Sequence, residues 1–255
     1  MYIFILVLVF IVIGVGFTFF LLKSDKGQKE PVGALWTAFL FGIVAAIIAG
    51  IIENLLVPLK DTKPGVSLVT MLISFIVVGI IEESLKFWPL AGFIYRKKYF
   101  NEHTDGIIYF ALVGLGFGIP ENILYTVQFG SKVGIARIVL TPLFHSALTA
   151  MIGYFLIKAK LNKRSFLTVI IAFLSAVLLH GIYDFGLSSG NTLLMLLSFA
   201  ITLALTINLF NLFYKARARD ESIGLSAVGH TNYCRHCGYI NKNHSIYCIS
   251  CGQRA

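Results

Sequence analysis

The sequence predicts an all-α membrane protein: a polytopic bundle of about seven transmembrane helices, followed by a small C-terminal zinc ribbon. First, 57% of the 255 residues are hydrophobic, only 13% are charged, and the mean hydropathy is +0.83. Second, apolar runs of about 20 residues recur, each long enough to cross a roughly 30 Å hydrocarbon core as a helix. Third, all four cysteines lie beyond residue 233, in two closely spaced pairs. Alternating ten-residue segments typical of a membrane barrel do not occur in the sequence.

The apolar runs define the predicted domains. The first run is too long for the core of a signal peptide and lacks a small-x-small motif before Lys23, so we expect it to be retained. We predict a membrane domain over 1–214, a flexible polar linker over 215–232, and a zinc ribbon over 233–255. The predicted spans are Tyr2–Leu22, Gly33–Val57, Val66–Tyr95, Gly106–Phe129, Gly134–Ile157, Ser165–Leu187 and Thr192–Tyr214.

Lysine and arginine predict the orientation in the cell membrane. One set of connecting loops holds about 13 basic residues and the other about 4, and the richer side is expected to be cytoplasmic. The N-terminus is therefore predicted outside and the C-terminus in the cytoplasm. The formal charge of +9 follows mostly from this bias, so it indicates contact with the lipid bilayer and requires no nucleic-acid partner.

The tail carries the spacing of a structural zinc site. Cys234 and Cys237 form one Cys-x-x-Cys pair, and Cys248 and Cys251 form the second after a ten-residue gap. Four thiolates at this spacing favour one tetrahedral Zn²⁺, and a reducing cytoplasm disfavours the alternative of disulfides. So short a segment cannot build its own core, so the metal must supply its folding free energy. A closed site has no open position for catalysis, and contact with a cytoplasmic protein partner is the expected use.

Polar residues interrupt four of the predicted spans. Two adjacent glutamates in hydrocarbon are costly, and such residues usually face a cavity or the interior of a bundle. Helical spacing groups them, because residues three or four apart share a helix face. We predict them as candidate catalytic residues: Glu82, Glu83 and Lys86; Glu121 and Asn122; His145; and His180 and Asp184.

These residues share one depth. Measured from the cytoplasmic end of each span, Glu82, Glu121, His145 and His180 all lie about 20–24 Å into the membrane. That layer falls in the outer half of a core of about 30 Å. A single site assembled from four helices is the simplest interpretation. Glu53 lies farther out, where a solvated rim is expected.

Structural roles for the same residues stay open at this point. Glu82 and Glu83 could form an ion pair with Lys86 that only fixes packing, and Glu121 and Asn122 could hydrogen-bond neighbouring helices. Each histidine could be a satisfied core residue, and Asp184 could lie at the outer interface. A catalytic set would instead activate water.

Two forms of that chemistry fit the residues. In the first, a desolvated glutamate is the general base, and histidine or asparagine stabilises the oxyanion. In the second, His145, His180 and Glu121 hold a catalytic metal ion with an open position for water. No H-E-x-x-H motif is present in the sequence, and glutamates outnumber histidines, which favours the metal-free form.

The ordered motifs resemble a known family. "EESLK" at Glu82–Lys86, "FGIPEN" at Phe117–Asn122, a histidine in the next span and "HGIYD" at His180–Asp184 resemble the PrsW family of intramembrane proteases. That family is distantly related to the CAAX-prenyl endopeptidase and bacteriocin-immunity group. The resemblance implies peptide-bond hydrolysis that requires the two glutamates and either His145 or His180. It also implies membrane-anchored, anti-sigma-factor-like substrates cut near the outer face.

Two other classes of function compete with the peptidase. The same carboxylates and histidines could form the relay of a proton- or ion-coupled transporter. A non-catalytic membrane receptor could use the zinc ribbon to recruit its partner. Cleavage of a single-span substrate distinguishes the peptidase from both.

Overall fold

The computed structural model describes residues 2–56, 67–130, 134–135, 137, 140–162, 165–222, 232–234, 236–241, 248, 250–251 and 253. Within these residues the chain forms seven long helices and one two-stranded hairpin. The helices are α1 (Tyr2–Ser24), α2 (Val32–Leu56), α3 (Leu68–Ile94), α4 (His103–Phe129), α5 (Leu140–Leu161), α6 (Leu167–Ser188) and α7 (Thr192–Ser222). The strands are β1 (Asn232–Tyr233) and β2 (Ile240–Asn241), paired antiparallel.

The predicted all-α membrane bundle is confirmed. Among the described residues, six helices, α2 to α7, are long and apolar enough to cross a membrane, and α1 contributes a shorter apolar stretch, Gly14–Ser24. The chain is therefore a multi-pass membrane protein. The predicted count of about seven spans corresponds to these six helices together with α1.

Helices α4 and α5 form the centre of the bundle. In each, 72% of the most apolar window is buried inside the protein, whereas the corresponding fraction is 28% for α2 and 22% for α7. The outer helices therefore face lipid with their apolar side chains, and polar groups on α4 and α5 lie within protein. This arrangement removes the cost of placing ionisable residues in hydrocarbon.

Two glycines bring α4 and α5 into backbone contact. A Cβ atom on Gly106 would lie 2.4 Å from the carbonyl oxygen of Gly153, and one on Gly114 would lie 2.3 Å from that of His145. Small residues at such crossings let membrane helices approach closely. The close contact at Gly114 holds His145 against α4, on which Glu121 also lies.

The final helix is longer than predicted. We expected a flexible linker from residue 215, but α7 continues to Ser222, and residues 223–231 lie outside the described part. Asp220 is 2% exposed and accepts hydrogen bonds from the backbone N–H groups of His103 (2.9 Å) and Thr104 (3.0 Å). These bonds tie the end of α7 to the first turn of α4. Hydropathy falls after Tyr214, whereas the helix and its tertiary contacts continue.

The tail packs on the connection between α3 and α4. The ammonium group of Lys98 lies 5.2 Å from the ring centroid of Tyr239, and a Cβ atom on Gly238 would lie 3.4 Å from the ring of Tyr99. The Tyr99 ring in turn lies 6.0 Å from that of Tyr109 on α4. The hairpin therefore contacts the membrane domain through this short connection.

A buried acid lies beside the same end of α4. Glu30, just before α2, is 8% exposed and accepts a hydrogen bond from the hydroxyl of Tyr109. Burial is the main cause that raises the pKa of Glu30 to about 8. Burial likewise raises the pKa of Glu102 to about 9. Folding therefore favours the neutral forms of these acids.

Replacing Glu30 with glutamine is expected to flatten the pH dependence of stability. The pKa of Glu30 is raised on folding, so its stabilising contribution is present below about pH 4.5 and is lost as the pH rises towards about 8. The loss is on the order of 2–5 kcal/mol across that range. Thermal unfolding of the purified protein in detergent, at about four pH values between pH 5 and pH 9, measures this change in the free energy of unfolding. Glu221→Gln, at an exposed acid on α7, is the control, and equal slopes for wild type and Glu30→Gln would contradict the expectation.

Candidate active site

One turn of α3 supplies three of the predicted residues. Glu82, Glu83 and Lys86 are spaced so that both carboxylates reach the ammonium group. The Nζ atom of Lys86 lies 2.7 Å from Oε1 of Glu83 and 3.4 Å from Oε2 of Glu82. Glu83 and Lys86 are 0% exposed and Glu82 is 4% exposed, so the group is sealed from solvent.

His145 on α5 connects this turn to α4. Its Nδ1 atom lies 3.0 Å from Nζ of Lys86, and its Nε2 atom lies 2.5 Å from Oε2 of Glu121. His145 is 1% exposed, so both ring nitrogens are in contact with protein groups. A carboxylate on one ring nitrogen orients the imidazole and increases the basicity of the other nitrogen.

His180 on α6 contacts the same two glutamates. Its Nδ1 atom lies 2.8 Å from Oε1 of Glu83, and its Nε2 atom lies 3.3 Å from Oε2 of Glu82. Asp184, one turn later, lies 3.3 Å from the same Nε2 atom. The rings of His145 and His180 are 5.2 Å apart between centroids. Four helices therefore meet at one buried cluster, in agreement with the layer expected from residue depths.

Asn122 follows Glu121 in α4 and forms its side-chain hydrogen bonds with Arg137. Its side-chain amide donates to the carbonyl oxygen of Arg137 at 3.0 Å, and its Oδ1 atom accepts from Nε of Arg137 at 3.1 Å. We expected histidine or asparagine to stabilise an oxyanion. The hydrogen bonds of Asn122 instead hold Arg137 in position.

Sequence reasoning misjudged the burial of two charged residues, one of which belongs to the cluster. Arg137 was counted as an outer-loop charge, yet it is 8% exposed and its guanidinium lies 2.7 Å from Oε1 of Glu121. Glu53 was expected at a solvated rim, yet it is 3% exposed. The burial of Arg137 could have been predicted from its position, because it lies at the start of the apolar run that contains His145.

Three residues are grouped as metal ligands would be. Ligand atoms of Glu82, His145 and His180 all lie within 4.8 Å of one another. Two imidazole nitrogens and one carboxylate are the donor set of a catalytic zinc site with an open position. The ammonium group of Lys86 already contacts Glu82 and His145, so this position accommodates positive charge. In the described part of the chain, the Oε2 atom of Glu83 is buried and has no hydrogen-bond partner. The donors therefore fit a divalent cation.

The expected carboxylate ligand was different. We expected Glu121 to join the two histidines, but it lies on the outer side of His145, between that ring and Arg137. Glu82 takes the place predicted for Glu121 because α3 packs closely on α6, where a Cβ atom on Gly79 would lie 2.8 Å from the carbonyl oxygen of Val177.

The tail holds a second group of ligands. The Sγ atoms of Cys234 and Cys251 are 3.4 Å apart, and those of Cys237 and Cys248 are 3.5 Å apart. All four sulfur atoms lie within 4.8 Å of one another, and the cysteines are free thiols. This convergence agrees with the spacing argument, and four thiolates can close a tetrahedral metal site.

Comparison with known proteins covers the same helices. Residues 30–210 match the PrsW family of intramembrane metalloproteases. The chain is 33% identical to the protease PrsW of Bacillus subtilis (strain 168) over 189 residues, which cover 73% of this chain and 84% of that protein. It is also 33% identical to the protease PrsW of Clostridioides difficile (strain 630) over 193 residues, or 71% of this chain and 77% of that protein. No solved structure matches the chain.

Proposed function

Because the chain belongs to the PrsW family of intramembrane metalloproteases and is therefore a membrane peptidase, we propose that the cluster formed by α3 to α6 is its active site. The substrates in this proposal are membrane-anchored proteins of the anti-sigma-factor type. The observation that carries the proposal is the grouping of Glu82, His145 and His180 inside a membrane bundle. A buried site of this kind can act on a peptide bond that bulk water does not reach.

The three grouped residues would hold a divalent metal ion, with zinc as the first candidate. Such an ion supplies Lewis acidity and lowers the pKa of water at the site. His180 would use Nε2, since Nδ1 contacts Glu83. His145 would use Nδ1, since Nε2 contacts Glu121, and the ammonium of Lys86, 3.0 Å from that Nδ1 atom, would have to move away to admit the ion. Each histidine thus has a carboxylate behind it, as is usual for metal ligands.

Glu83 is the proposed general base. Its Oε1 atom accepts from Lys86 and contacts His180, which leaves Oε2 to take a proton from the attacking water. The same carboxylic acid would then return that proton to the amine that leaves when the peptide bond breaks. Lys86, beside both glutamates, would hold Glu83 ionised before attack and donate a hydrogen bond to the developing oxyanion.

Supporting roles fall to four more residues. Glu121 would orient His145, and Arg137, fixed by Asn122, would hold Glu121 in place. Asp184, whose Oδ2 atom lies 3.3 Å from Nε2 of His180, would lie beside the metal position. Such partners of metal ligands typically contribute 10- to 100-fold in affinity or activity.

The cysteine tail is proposed to hold a separate structural zinc ion. A closed four-thiolate site supplies folding free energy and has no open position, so it serves structure or contact with a cytoplasmic partner. The family match ends at residue 210, before the tail begins. Catalysis is therefore assigned to the membrane domain alone.

Metal content tests both assignments together. We expect the full chain to bind two equivalents of zinc, and a shortened chain ending at Ser222 to bind one and still cleave a single-span membrane protein. The end at Ser222 retains Asp220, which anchors α7. In the shortened chain, His145→Ala or His180→Ala should remove the remaining metal and the activity. Metal analysis of detergent-purified protein, alongside cleavage of a reconstituted substrate, gives both values.

Two results would contradict parts of this scheme. An active shortened chain without metal would assign water activation to Glu82 or Glu83 alone, the metal-free form of the mechanism. A folded but inactive shortened chain would make the tail part of the catalytic unit. Glu221→Gln in the shortened chain, at an exposed acid, controls for a general effect of charge.

The site is proposed to lie towards the outer face, with the C-terminus in the cytoplasm. His145 is five residues from the start of α5, about 8 Å along the helix axis. Glu121 and His180 are likewise nearer the ends of their helices on that side. A reporter after Ala255 should be cytoplasmic, and one at Thr62 or Ser189 outside. A reporter after Ala255 that is found outside would reverse this orientation and move the site towards the cytoplasmic face.

A further inference from the structure

A polar cavity lies at the end of the bundle opposite the active site. Its volume is about 530 Å³ and its walls come from α4, α5 and α7. His103 begins α4, whereas Glu121 lies roughly 27 Å farther along the same helix axis. The cavity therefore belongs to a different region of the molecule. Its lining residues are His103, Tyr154, Lys158, Asn162, Ala216 and Arg219.

The cavity concentrates positive charge. Lys158 and Arg219 lie on two different helices and meet at its wall, and no acidic residue of the described chain lines it. Neither cation has a carboxylate partner within the described residues. Arg217, two residues before Arg219, pairs with Glu221 at 3.0 Å, so acids are available on this helix but not to the cavity. The centroid of the Tyr154 ring lies 5.4 Å from Nζ of Lys158. This cation–π contact stabilises the ammonium group beside the cavity.

The nearest carboxylate is already engaged. Asp220 lies behind His103 and accepts from two backbone N–H groups of α4, and its Oδ1 atom lies 2.7 Å from Nδ1 of His103. The carboxylate therefore neutralises the positive end of the α4 dipole and leaves the two cations uncompensated. It also fixes the imidazole, whose Nε2 atom lies 3.4 Å from the amide nitrogen of Asn162.

We propose that this cavity binds a phosphate group, carried by the headgroup of an anionic phospholipid. An ammonium, a guanidinium, an amide and a phenol around one volume match the oxygen acceptors of a phosphate, and Arg and Lys are the usual phosphate-binding side chains. Basic pockets between helices on the cytoplasmic side of membrane proteins suit lipid headgroups. The lipid source fits because the cavity lies at the basic ends of helices that cross the membrane.

A simpler explanation of these basic residues involves no ligand. Lys158 lies in the last turn of α5 and Arg219 in the last turn of α7, where cations stabilise helix dipoles. Under that account the protein would not prefer anionic lipid at this position. Binding of a defined lipid therefore separates the two accounts.

The test uses the full chain and four probes. Native mass spectrometry of detergent-purified protein would count bound phosphatidylglycerol and bound phosphatidylcholine, and titration with inorganic phosphate and with sulfate would measure competition. The test variant is Lys158→Gln/Arg219→Gln. Its matched control, Lys26→Gln/Lys215→Gln, removes the same charge from exposed residues outside the cavity. Thermal unfolding of each variant verifies that the fold is retained.

Wild type and control are expected to retain phosphatidylglycerol in preference to phosphatidylcholine. The test variant is expected to bind phosphatidylglycerol about 25-fold more weakly, since each of the two basic residues near anionic lipid contributes roughly fivefold. Competition by inorganic phosphate and by sulfate would support recognition of the anionic group. Tight binding of inorganic phosphate without any lipid preference would overturn the lipid source. Equal binding of phosphatidylglycerol by the test variant and the wild type would overturn the site.

Discussion

Glu82→Gln is expected to lower cleavage of a membrane-anchored substrate about a thousandfold or more, while the protein accumulates normally. Glu82 is the only carboxylate grouped with both histidines as a potential ligand in the described part of the chain. An amide is a poor metal ligand and carries no charge, so the variant should also lose the metal of the membrane site. Cleavage of a reconstituted single-span protein, with metal analysis of the same sample, measures both effects. Glu83→Gln should lose activity to a similar degree but retain the metal, because its proposed role is proton transfer.

Graded variants make this result specific. Asp184→Asn changes a neighbour of Nε2 of His180 and should cost only about 10- to 100-fold. Glu221→Gln, at an exposed ion pair on α7, should cleave at the wild-type rate. Normal turnover by purified Glu82→Gln would remove Glu82 from the site, and failure of the variant to accumulate would favour a packing role for the same residue.

Lys86→Met is expected to reduce the free energy of unfolding by about 3–5 kcal/mol and to abolish cleavage. Lys86 is 0% exposed and its ammonium contacts Glu82, Glu83 and His145. Removing it leaves Glu83 as a buried charge without its nearest cation, and breaking one partner of a buried pair is strongly destabilising. Methionine retains most of the side-chain volume, so the loss reports charge and not a cavity.

A second substitution tests that explanation. Lys86→Met/Glu83→Gln removes both charges and should recover a large part of the lost stability without restoring activity. Thermal unfolding in detergent measures the stability of each variant. A double variant as unstable as Lys86→Met alone would show that the ammonium acts through packing and not through its charge on Glu83.

Sequence reasoning grouped most residues of the candidate site but did not predict all of their contacts. Helix rise and membrane thickness are nearly constant, so residues at one depth on four helices could be grouped before their packing was known. The partner of each residue depends on helix rotation, which hydropathy does not define. Glu121 was therefore expected beside both histidines, where Glu82 lies, and Asn122 was not recognised as a partner of Arg137.

The charges at the ends of helices were the least predictable. Arg137 was assigned to an outer loop and Asp220 to a polar linker, yet both are buried by contacts with residues distant in sequence. Glu53 was misplaced for the same reason, because distance along a helix gives depth but not the direction in which the side chain points. Because of such tertiary contacts, α7 ends later than predicted and the candidate site includes Arg137, which was not predicted.

The contact of Gly238 and Tyr239 with Lys98 and Tyr99 links the metal site proposed for the tail to the membrane domain. Oxidation of the four thiols would expel their metal and remove the free energy that folds the hairpin. The connection that would then lose its cover joins α3 to α4, and these two helices carry Glu82 and Glu121. Oxidation of the tail would thus alter the support of the candidate site, which lies farther along the same two helices.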